Sequence, residues 1–339
     1  MNKILILKND RAGDLMSSLK LISSLNIKDN KLKIYLSELN IGFSFFFENI
    51  EVRKVNFNLS LVDKISILFD IFRNKYDKIY ILCPKSFYFI LPLIFKGTKF
   101  YSIVYNNKRN RPNNYLRKFL HSYKIIYRNK INKKNYNLTQ LELLDNNYNI
   151  DNNFLNLNIP KISKELKSLI PGSFIFFQFR YLFFKKLGWN ISEFDLLIDH
   201  LLKKYDYILF SSDNEKNSET EFYNNYFENN FSIIDTNNYT KRENIRKKRI
   251  FYLKEINALN LFLICNESEI NLAKEGIISH ISHFHGNKCH NLFNFEINSL
   301  EDFKFQKISY SEWSKGMNFS FSFLNSNIQK AINKIIRNV

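Results

Sequence analysis

The sequence is short of cysteine, glycine, proline and tryptophan. Its 339 residues include 3 Cys, 8 Gly, 5 Pro and 2 Trp. The cysteines, Cys83, Cys265 and Cys289, include no pair at CxxC spacing, and their odd number argues against a disulfide framework. A reducing compartment fits this pattern. With few glycines and prolines, 45% hydrophobic and 16% aromatic residues, the composition is that of a globular protein and not of a disordered chain.

Long apolar runs are also missing. The longest, residues 86–95, is about half of what a helix needs to cross a bilayer. Met1-Asn2-Lys3 leads directly into a strand-like run that Lys8 and Asp10 interrupt, so we expect no signal peptide. We therefore expect a cytoplasmic protein, with any contact to the inner membrane made peripherally from the surface.

Acidic residues are scarce relative to basic ones. The chain has 50 Lys and Arg against 32 Asp and Glu, a net charge of +18. Residues 106–134 hold ten Lys or Arg and no Asp or Glu, interleaved with Tyr115, Phe119, Tyr123 and Tyr127. Such a stretch can bind nucleic acid, an anionic membrane surface or a phosphorylated glycolipid, although a solvated helix face is the commoner origin. No motif for binding RNA or DNA accompanies it, so nucleic acid ranks last among these partners.

Strand-like and helix-like patterns alternate along the first half of the chain. The apolar run 4–7 gives way to a polar turn, and a helical pattern then starts near Gly13-Asp14 and continues to Leu25. Further strands are predicted at 32–36 and 78–82, with a helix at 61–73. The alternation predicts a mainly parallel sheet with helices on both faces, and ligands bind beyond the carboxyl ends of such strands. Asp14 is therefore predicted either at the mouth of a ligand crevice or as a simple helix cap.

A polar linker divides the chain near its middle. Residues 146–163 lack helical periodicity and contain Pro160. Beyond them the pattern restarts with strands at 174–177 and 207–210 and a helix at 192–202, for which Ser192 is a plausible N-cap. Two successive α/β units of similar size suggest two Rossmann-like halves with a cleft between them.

A second unusual turn lies late in the chain. Gly276 follows a predicted strand and precedes a predicted helix, whose N-terminus can present free N–H groups to a phosphate. Four of the six histidines crowd this region, but no Cys or Asp stands at a useful ligand spacing. We therefore favour packing over metal binding for these four residues: His280, His283, His285 and His290.

Four segments in a fixed order resemble those of one known family. They are Lys3–Ile6 with Gly13-Asp14, the strand led by Tyr76-Asp77, the strand from Pro171-Gly172-Ser173 with Lys185-Lys186 and Trp189, and Glu275-Gly276-x-x-x-His280. The set resembles glycosyltransferase family 9, the ADP-heptose:lipopolysaccharide heptosyltransferases and their relatives. Each match is weak alone, whereas their order over most of the chain is fairly specific.

The resemblance implies an α/β protein of the GT-B fold, with two Rossmann-like domains facing across a cleft. Residues 1–160 would form the acceptor domain and residues 161–320 the nucleotide-sugar domain. Residues 321–339 would form a helix that crosses back to the first domain.

The resemblance also implies roles for particular residues. Asp14 matches the base that takes a proton from the acceptor hydroxyl, and Arg11 and Gly13 of the same loop would lie on the acceptor side. Either Lys185 or Lys186 matches the lysine that neutralises the departing diphosphate. The resemblance implies no metal and no other cofactor. The nucleoside-diphosphate sugar is the donor substrate. The implied donor-binding set comprises Arg180, Lys185, Lys186, Glu275, Gly276, Ser279 and His280.

The sequence therefore predicts an inverting, metal-independent glycosyltransferase. It would move heptose or a related sugar from a nucleoside diphosphate to lipopolysaccharide or another surface glycan. The alternative is a catalytically inactive protein of the same fold that binds partners in glycan assembly. The chain departs from the family pattern in its first loop, where Asp10-Arg11-Ala12 replaces a glycine-rich turn, and at Ile277, Ile278 and Asn190.

Overall fold

The computed structural model divides into two compact units, residues 1–160 and residues 161–339. Glu275 and most of the basic stretch 106–134 lie outside the described residues. The structure describes residues 1–105, 115–126, 136–144, 156–212, 218–245, 247–274, 276–294, 300, 304, 319–324 and 328–338.

The first unit is built on a parallel sheet with the strand order β3-β2-β1-β4-β5-β6. Its interior strand β1 is flanked on both sides, since Ile6 pairs with Ile34 on one neighbour and Tyr80 on the other. Of these strands the sequence predicts β1, β2 and β4 but not β3, β5 and β6. Strands β3 and β6 lie at the edges, where a polar pattern is tolerated. The strands are β1 Asn2–Lys8, β2 Asn30–Ser37, β3 Glu51–Val55, β4 Lys78–Ile81, β5 Lys99–Tyr105 and β6 Ser122–Ile126.

The helical pattern after β1 forms two short helices instead of the single predicted one. The hydroxyls of Ser17 and Ser18 donate to the carbonyl of Asp14, so they compete with the helical backbone bonds at this point. The helices of the first unit are α1 Ala12–Met16, α2 Leu19–Leu25, α3 Leu61–Asn74, α4 Leu91–Ile94 and α5 Tyr136–Leu141, with 3₁₀ turns at Ile41–Phe46, Ser86–Phe89 and Arg117–Phe119.

The second unit contains a sheet with the strand order β10-β9-β11-β8-β7-β12-β13-β14. All of its pairings are parallel except β9 with β10. The strands are β7 Ile175–Gln178, β8 Ile208–Ser211, β9 Ser232–Asp235, β10 Thr240–Arg242, β11 Ile250–Lys254, β12 Ile270–Lys274, β13 Lys288–Asn294 and β14 Phe319–Leu324.

An aromatic cluster forms the core of the second unit. Phe194 stacks on Phe177 at 6.1 Å and meets Phe227 at 5.1 Å between ring centroids. The helix carrying Phe194 begins one residue earlier than predicted, because Asn190 and not Ser192 supplies the N-cap. The helices of this unit are α6 Lys164–Leu169, α7 Tyr181–Lys185, α8 Ile191–Leu201, α9 Ser218–Asn230, α10 Ala258–Glu267, α11 Ile277–His285 and α12 Ile328–Asn338.

Helix α12 packs within the second unit, where Ala331, Ile332 and Ile335 are buried in the core. It packs there against β14 and α8. The physical reason is its apolar edge, which completes a core shared with Leu197 and Leu324. That it also crosses back to the first unit stays a prediction. In the described part of the chain, no helix has both the length and the apolar character to span a membrane.

Candidate functional site

The residues singled out by the sequence fall in two regions, one in each unit. In both, the functional side chains follow directly after parallel strands. The carboxyl ends of neighbouring parallel strands meet at one edge of a sheet, where α/β proteins bind their ligands. The two regions are described separately.

In the first unit, the loop after β1 is held from both sides. Asn40, which follows β2, donates to the carbonyl of Lys8 at 2.8 Å, and the hydroxyl of Ser37 donates to the carbonyl of Asp10 at 2.6 Å. On the other side, the hydroxyl of Tyr88 donates to Asn9 at 2.7 Å. These bonds join segments far apart in sequence, so the loop conformation depends on the assembled sheet.

A buried ion pair lies inside this loop. The ammonium of Lys8 is fully buried and donates to Oδ2 of Asp10 at 2.7 Å. It also donates to the carbonyl of Leu82, just beyond β4, at 3.2 Å. The other oxygen of Asp10, Oδ1, is buried and has no hydrogen-bond partner among the described residues.

Burial and charge act against each other in this pair. Burial raises the pKa of the Asp10 carboxyl to about 7, because the lowering effect of the Lys8 charge is the smaller of the two. The nearby Asp14 charge raises the same pKa further. Burial lowers the pKa of Lys8, but the charges of Asp10 and Asp14 and the hydrogen bond to Asp10 act in the opposite direction, and the net change is upward. Lys8 therefore stays charged near neutral pH, while Asp10 can hold or release a proton there.

Asp14 is exposed and stands on the first turn of α1. Arg11 provides the extended N-cap residue, but its side chain makes no capping bond. The carboxylate of Asp14 therefore lies at the surface beside a buried, positively charged Lys8, with Gly13 half-buried next to it. An exposed carboxylate at the helix start, directly after a loop held by hydrogen bonds, is suited to a general base, since a base must meet the hydroxyl that it deprotonates.

In the second unit, β7 and β12 are neighbours and bring Arg180 and Gly276 to the same edge. Gln178 pairs with Ala273 in the sheet, Arg180 follows two residues after Gln178, and Gly276 follows three residues after Ala273. The backbone of Gly276 has φ of 153°, a conformation that L side chains rarely adopt. The third predicted member of this turn, Glu275, lies outside the described residues.

Helix α11 begins immediately after Gly276. Ser279 is buried, accepts from the N–H of Gly276 at 3.4 Å and donates to the side chain of Asn291 on β13. The Ser279 hydroxyl thus ties the helix start to the sheet. His280, half-buried in the first turn, donates its backbone N–H to the carbonyl of Gly276 at 3.3 Å.

The two candidate lysines differ in their surroundings. Lys185 forms an ion pair with Glu219 on α9 and lies 5.4 Å from the ring centroid of Tyr181. The hydrogen bond that Lys185 donates to Glu219 raises the pKa of Lys185. Lys186, the C-cap residue of α7, is exposed and has no side-chain partner within the described ranges. The geometry therefore favours Lys186 over Lys185 as a ligand for an anionic group.

Two of the four clustered histidines are packing residues, as expected. His290 lies between the hydroxyls of Ser320 and Ser322, and burial lowers its pKa to about 4. His285 packs on Phe262 at 4.2 Å, and burial lowers its pKa to about 4 as well. Among the residues that the structure describes, no three His, Cys, Asp or Glu side chains converge as a metal ion would require.

Comparison with known proteins finds similarity at the level of structure. No family model and no curated protein sequence matches the chain. E. coli ADP-heptose LPS heptosyltransferase II superposes with a TM-score of 0.64 at 12% identity, over 99% of this chain and 97% of that one. A family 9 glycosyl transferase from Veillonella parvula gives 0.64 at 11% identity, over 100% and 98%. The UDP-GlcNAc 2-epimerase of Neisseria meningitidis, bound to UDP-GlcNAc, gives 0.58 at 13% identity, over 99% and 90%.

The chain has the GT-B fold. The predicted likeness to heptosyltransferases is thereby confirmed at the level of structure, over nearly the whole of both chains. At these identities the likeness establishes the fold alone. The assignment of roles to single residues stays a prediction.

The GT-B framework also reveals residues that sequence reasoning missed. Lys8 and Asp10 are interpreted from the sequence as interruptions of an apolar run, and Asp10 also as part of a departure from the family's first loop, but not as a pair. Two charges directly at the end of a buried strand are a signal for a buried pair. Asn9, Ser37 and Tyr88 carried no sequence signal, because their bonds span up to 79 residues of chain. The site in the first unit is therefore larger than Asp14 and its neighbours.

Proposed function

We propose that this chain is a glycosyltransferase that uses a nucleoside-diphosphate sugar as its donor, with Asp14 as the general base. The observation that carries the proposal is the position of Asp14. Its exposed carboxylate follows a loop that buried bonds hold in place, at the carboxyl end of an interior strand of a GT-B fold. The full-length likeness to heptosyltransferases supports the same reaction class.

In the proposed reaction, Asp14 accepts the proton of an acceptor hydroxyl. The hydroxyl oxygen forms a bond to the anomeric carbon of the donor sugar while the bond from that carbon to the diphosphate breaks. A single displacement of this kind inverts the configuration at that carbon. Proton removal by a positioned base contributes about 10²- to 10⁴-fold to such a rate.

The second unit would hold the departing diphosphate. Arg180 and the start of α11 lie at one edge of its sheet, and helix N-termini favour anions because their first N–H groups lack partners in the helix. The exposed ammonium of Lys186 would neutralise charge that develops on the leaving group. His280 and Glu275 are proposed to complete this donor site, with Ser279 fixing the helix start.

The proposed donor carries heptose or a related sugar, and ADP is the first nucleotide to test. Support comes from the E. coli heptosyltransferase, whose donor is ADP-heptose. The proposed acceptor is lipopolysaccharide or another surface glycan. We propose that the reaction proceeds without a metal ion.

The test combines binding and turnover. Calorimetric titration of the full chain with ADP, GDP, UDP, CDP and TDP identifies the nucleobase that the donor site accepts. Release of that nucleoside diphosphate from its sugar donor then measures transfer to a glycan acceptor. Asp14→Asn should lower kcat at least about 100-fold while the affinity for the nucleotide stays within about two-fold. Chelation of divalent ions with EDTA should leave kcat unchanged.

Asp29→Asn is the matched control, because Asp29 is an exposed carboxylate of the same unit away from the loop after β1. It should retain full turnover. Nucleotide binding with no transfer to any acceptor in the unaltered protein would favour the inactive alternative. Failure of all five nucleotides to bind would remove the transferase proposal altogether.

A further inference from the structure

Helix α3 is apolar on two opposite sides. Ile67 and Ile71 are buried in a cluster with Leu5 and Leu7 of β1. Each helical residue turns by about 100° about the axis, and five further apolar residues fall within about 100° of arc on the opposite side. We call these exposed residues the α3 stripe: Leu61 (71% exposed), Val62 (75%), Ile65 (44%), Phe69 (69%) and Phe72 (74%).

Neighbouring segments of the first unit also expose apolar side chains. Phe89, Leu91 and Leu120 belong to the same buried cluster as Ile67 and Ile71, so their segments cover the same face of the sheet as α3. These segments expose further large apolar or aromatic side chains, namely Ile90, Leu93, Ile94, Tyr115 and Phe119. Soluble monomers rarely expose apolar patches of this extent unless the patch meets a partner or a membrane.

Positive charge borders the α3 stripe. On the helical wheel Lys64 lies on one flank and Arg73 on the other. Exposed Lys96 and Lys118 lie in the neighbouring segments. The surface beside the stripe is therefore suited to an anionic partner.

The carboxylates of the two acidic residues of α3 are hydrogen-bonded to other residues of the first unit. Asp63 closes a capping box with Ser60 at the start of the helix. Asp70 accepts from Lys33 at 2.6 Å and from the hydroxyl of Tyr76 at 2.9 Å. Neither carboxylate lies within the arc of the stripe, so the stripe itself is uncharged and its flanks are basic.

We propose that the α3 stripe docks on the surface of a lipid bilayer that contains anionic lipid. Phe and Leu side chains on a helix face insert at the boundary of headgroups and acyl chains, and flanking Lys and Arg are attracted to anionic headgroups. A second copy of the chain is a poorer occupant, because a two-fold interface places the same basic flanks against each other. This proposal does not depend on the proposed function, since vesicle binding requires neither donor nor acceptor.

The test is flotation of the full chain with vesicles of phosphatidylcholine alone and of phosphatidylcholine with about 30% phosphatidylglycerol. The unaltered protein should float with the anionic vesicles, and less so at high salt. The double variant Phe69→Ser/Phe72→Ser should lower the partition by about ten-fold. Phe222→Ser, at a position 60% exposed on α9 of the second unit, is the matched control and should float normally.

A charge variant separates the two contributions. Arg73→Glu combined with Lys118→Glu should weaken binding to anionic vesicles and leave the weaker binding to neutral vesicles unchanged. Unchanged flotation of Phe69→Ser/Phe72→Ser, with a native circular dichroism spectrum, would overturn the proposal. So would light scattering that finds a dimer dissociated by the same variant while its vesicle binding persists, because the stripe would then be covered by a second copy.

Discussion

The ammonium of Lys8 donates to the carboxylate of Asp10 at 2.7 Å, and both side chains are buried at the carboxyl end of β1. Lys8 has a second acceptor, the carbonyl of Leu82, whereas Asp10 retains one oxygen without a partner. The pair thus connects the end of β1 to the residue after β4, next to the helix α1 that carries Asp14.

Removing Lys8 alone should lower the free energy of unfolding more than replacing both residues of the pair. Lys8→Met leaves a buried carboxylate without its counter-charge, and Asp10→Asn leaves a buried ammonium without its own. Lys8→Met should lower the free energy of unfolding of the first unit by about 3 kcal/mol or more. Asp10→Asn should lower it by less, because a pKa of about 7 means that the neutral carboxyl of Asp10 is already populated at neutral pH. The double variant should cost clearly less than the sum, with a coupling energy of about 1–3 kcal/mol. Hydrogen exchange of peptides covering β1 measures all three values, and additivity within about 0.5 kcal/mol would contradict the pair as described.

Asp10 should make the first unit less stable as pH rises toward neutrality. Its pKa is raised from 3.8 to about 7 on folding, so the folded state keeps a proton that the unfolded chain has released. The resulting stabilisation is complete below about pH 4 and is lost as pH rises through about 7. The charged neighbour Lys8 does not titrate in this window, and the raised pKa values of Cys83 and Tyr88 keep those groups neutral.

The measurement compares the unaltered chain with Asp10→Asn between pH 4 and pH 8. Protection of β1 amides, corrected for the intrinsic exchange rate at each pH, should be similar in the two proteins near pH 4, where Asp10 is neutral in the folded state, and should fall in the unaltered chain relative to Asp10→Asn as pH rises. A constant difference across this range would show that Asp10 does not titrate between the two states.

His290 should produce the opposite pH dependence in the second unit. Its pKa is lowered from 6.5 to about 4 by burial, so protonation favours the unfolded chain. The stabilisation is present above pH 6.5 and is lost as pH falls toward 4. His290→Gln retains hydrogen-bonding groups for Ser320 and Ser322 without titrating, and it should remove roughly 2–3 kcal/mol of the acid-induced loss.

Tryptophan fluorescence can follow this transition, because Trp189 and Trp313, the two tryptophans of the chain, both belong to residues 161–339. Urea titrations at pH 7.5 and pH 4.5 supply the comparison. His285→Gln is a second test of the same effect, since the pKa of His285 is lowered to a similar value. Equal acid sensitivity of all three proteins would refute the prediction.

The two lysines after β7 should differ in nucleotide binding. Lys186→Ala should weaken the affinity for a nucleoside diphosphate by about ten-fold, because a charged hydrogen bond to phosphate is lost. Lys185→Ala should change it by less than about two-fold, since Lys185 is already paired with Glu219. Calorimetry at two salt concentrations provides the measurement. A larger effect from Lys185 would reverse the assignment of the donor lysine.

Local patterns in the sequence already determined much of the architecture. Apolar runs of strand length alternating with helical periodicity indicated two α/β units, and the parallel sheets follow from that alternation. The position of Asp14 just after β1 was readable for the same reason, because a strand, a turn and a helix start are all local features. The order of four short motifs was enough to indicate the GT-B fold.

The contents of the site were decided by the tertiary structure alone. Lys8 and Asp10 are buried because β4 supplies the carbonyl of Leu82, which lies 74 positions further along the chain. Glu219, 34 residues away from Lys185, leaves Lys186 as the available cation. From the sequence alone, the apolar residues on the outward face of α3 suggest a buried face. A helical pattern shows which residues are apolar, but not whether each apolar face of the helix packs against another element. Such long-range pairings depend on strand order and register, which local periodicity does not specify.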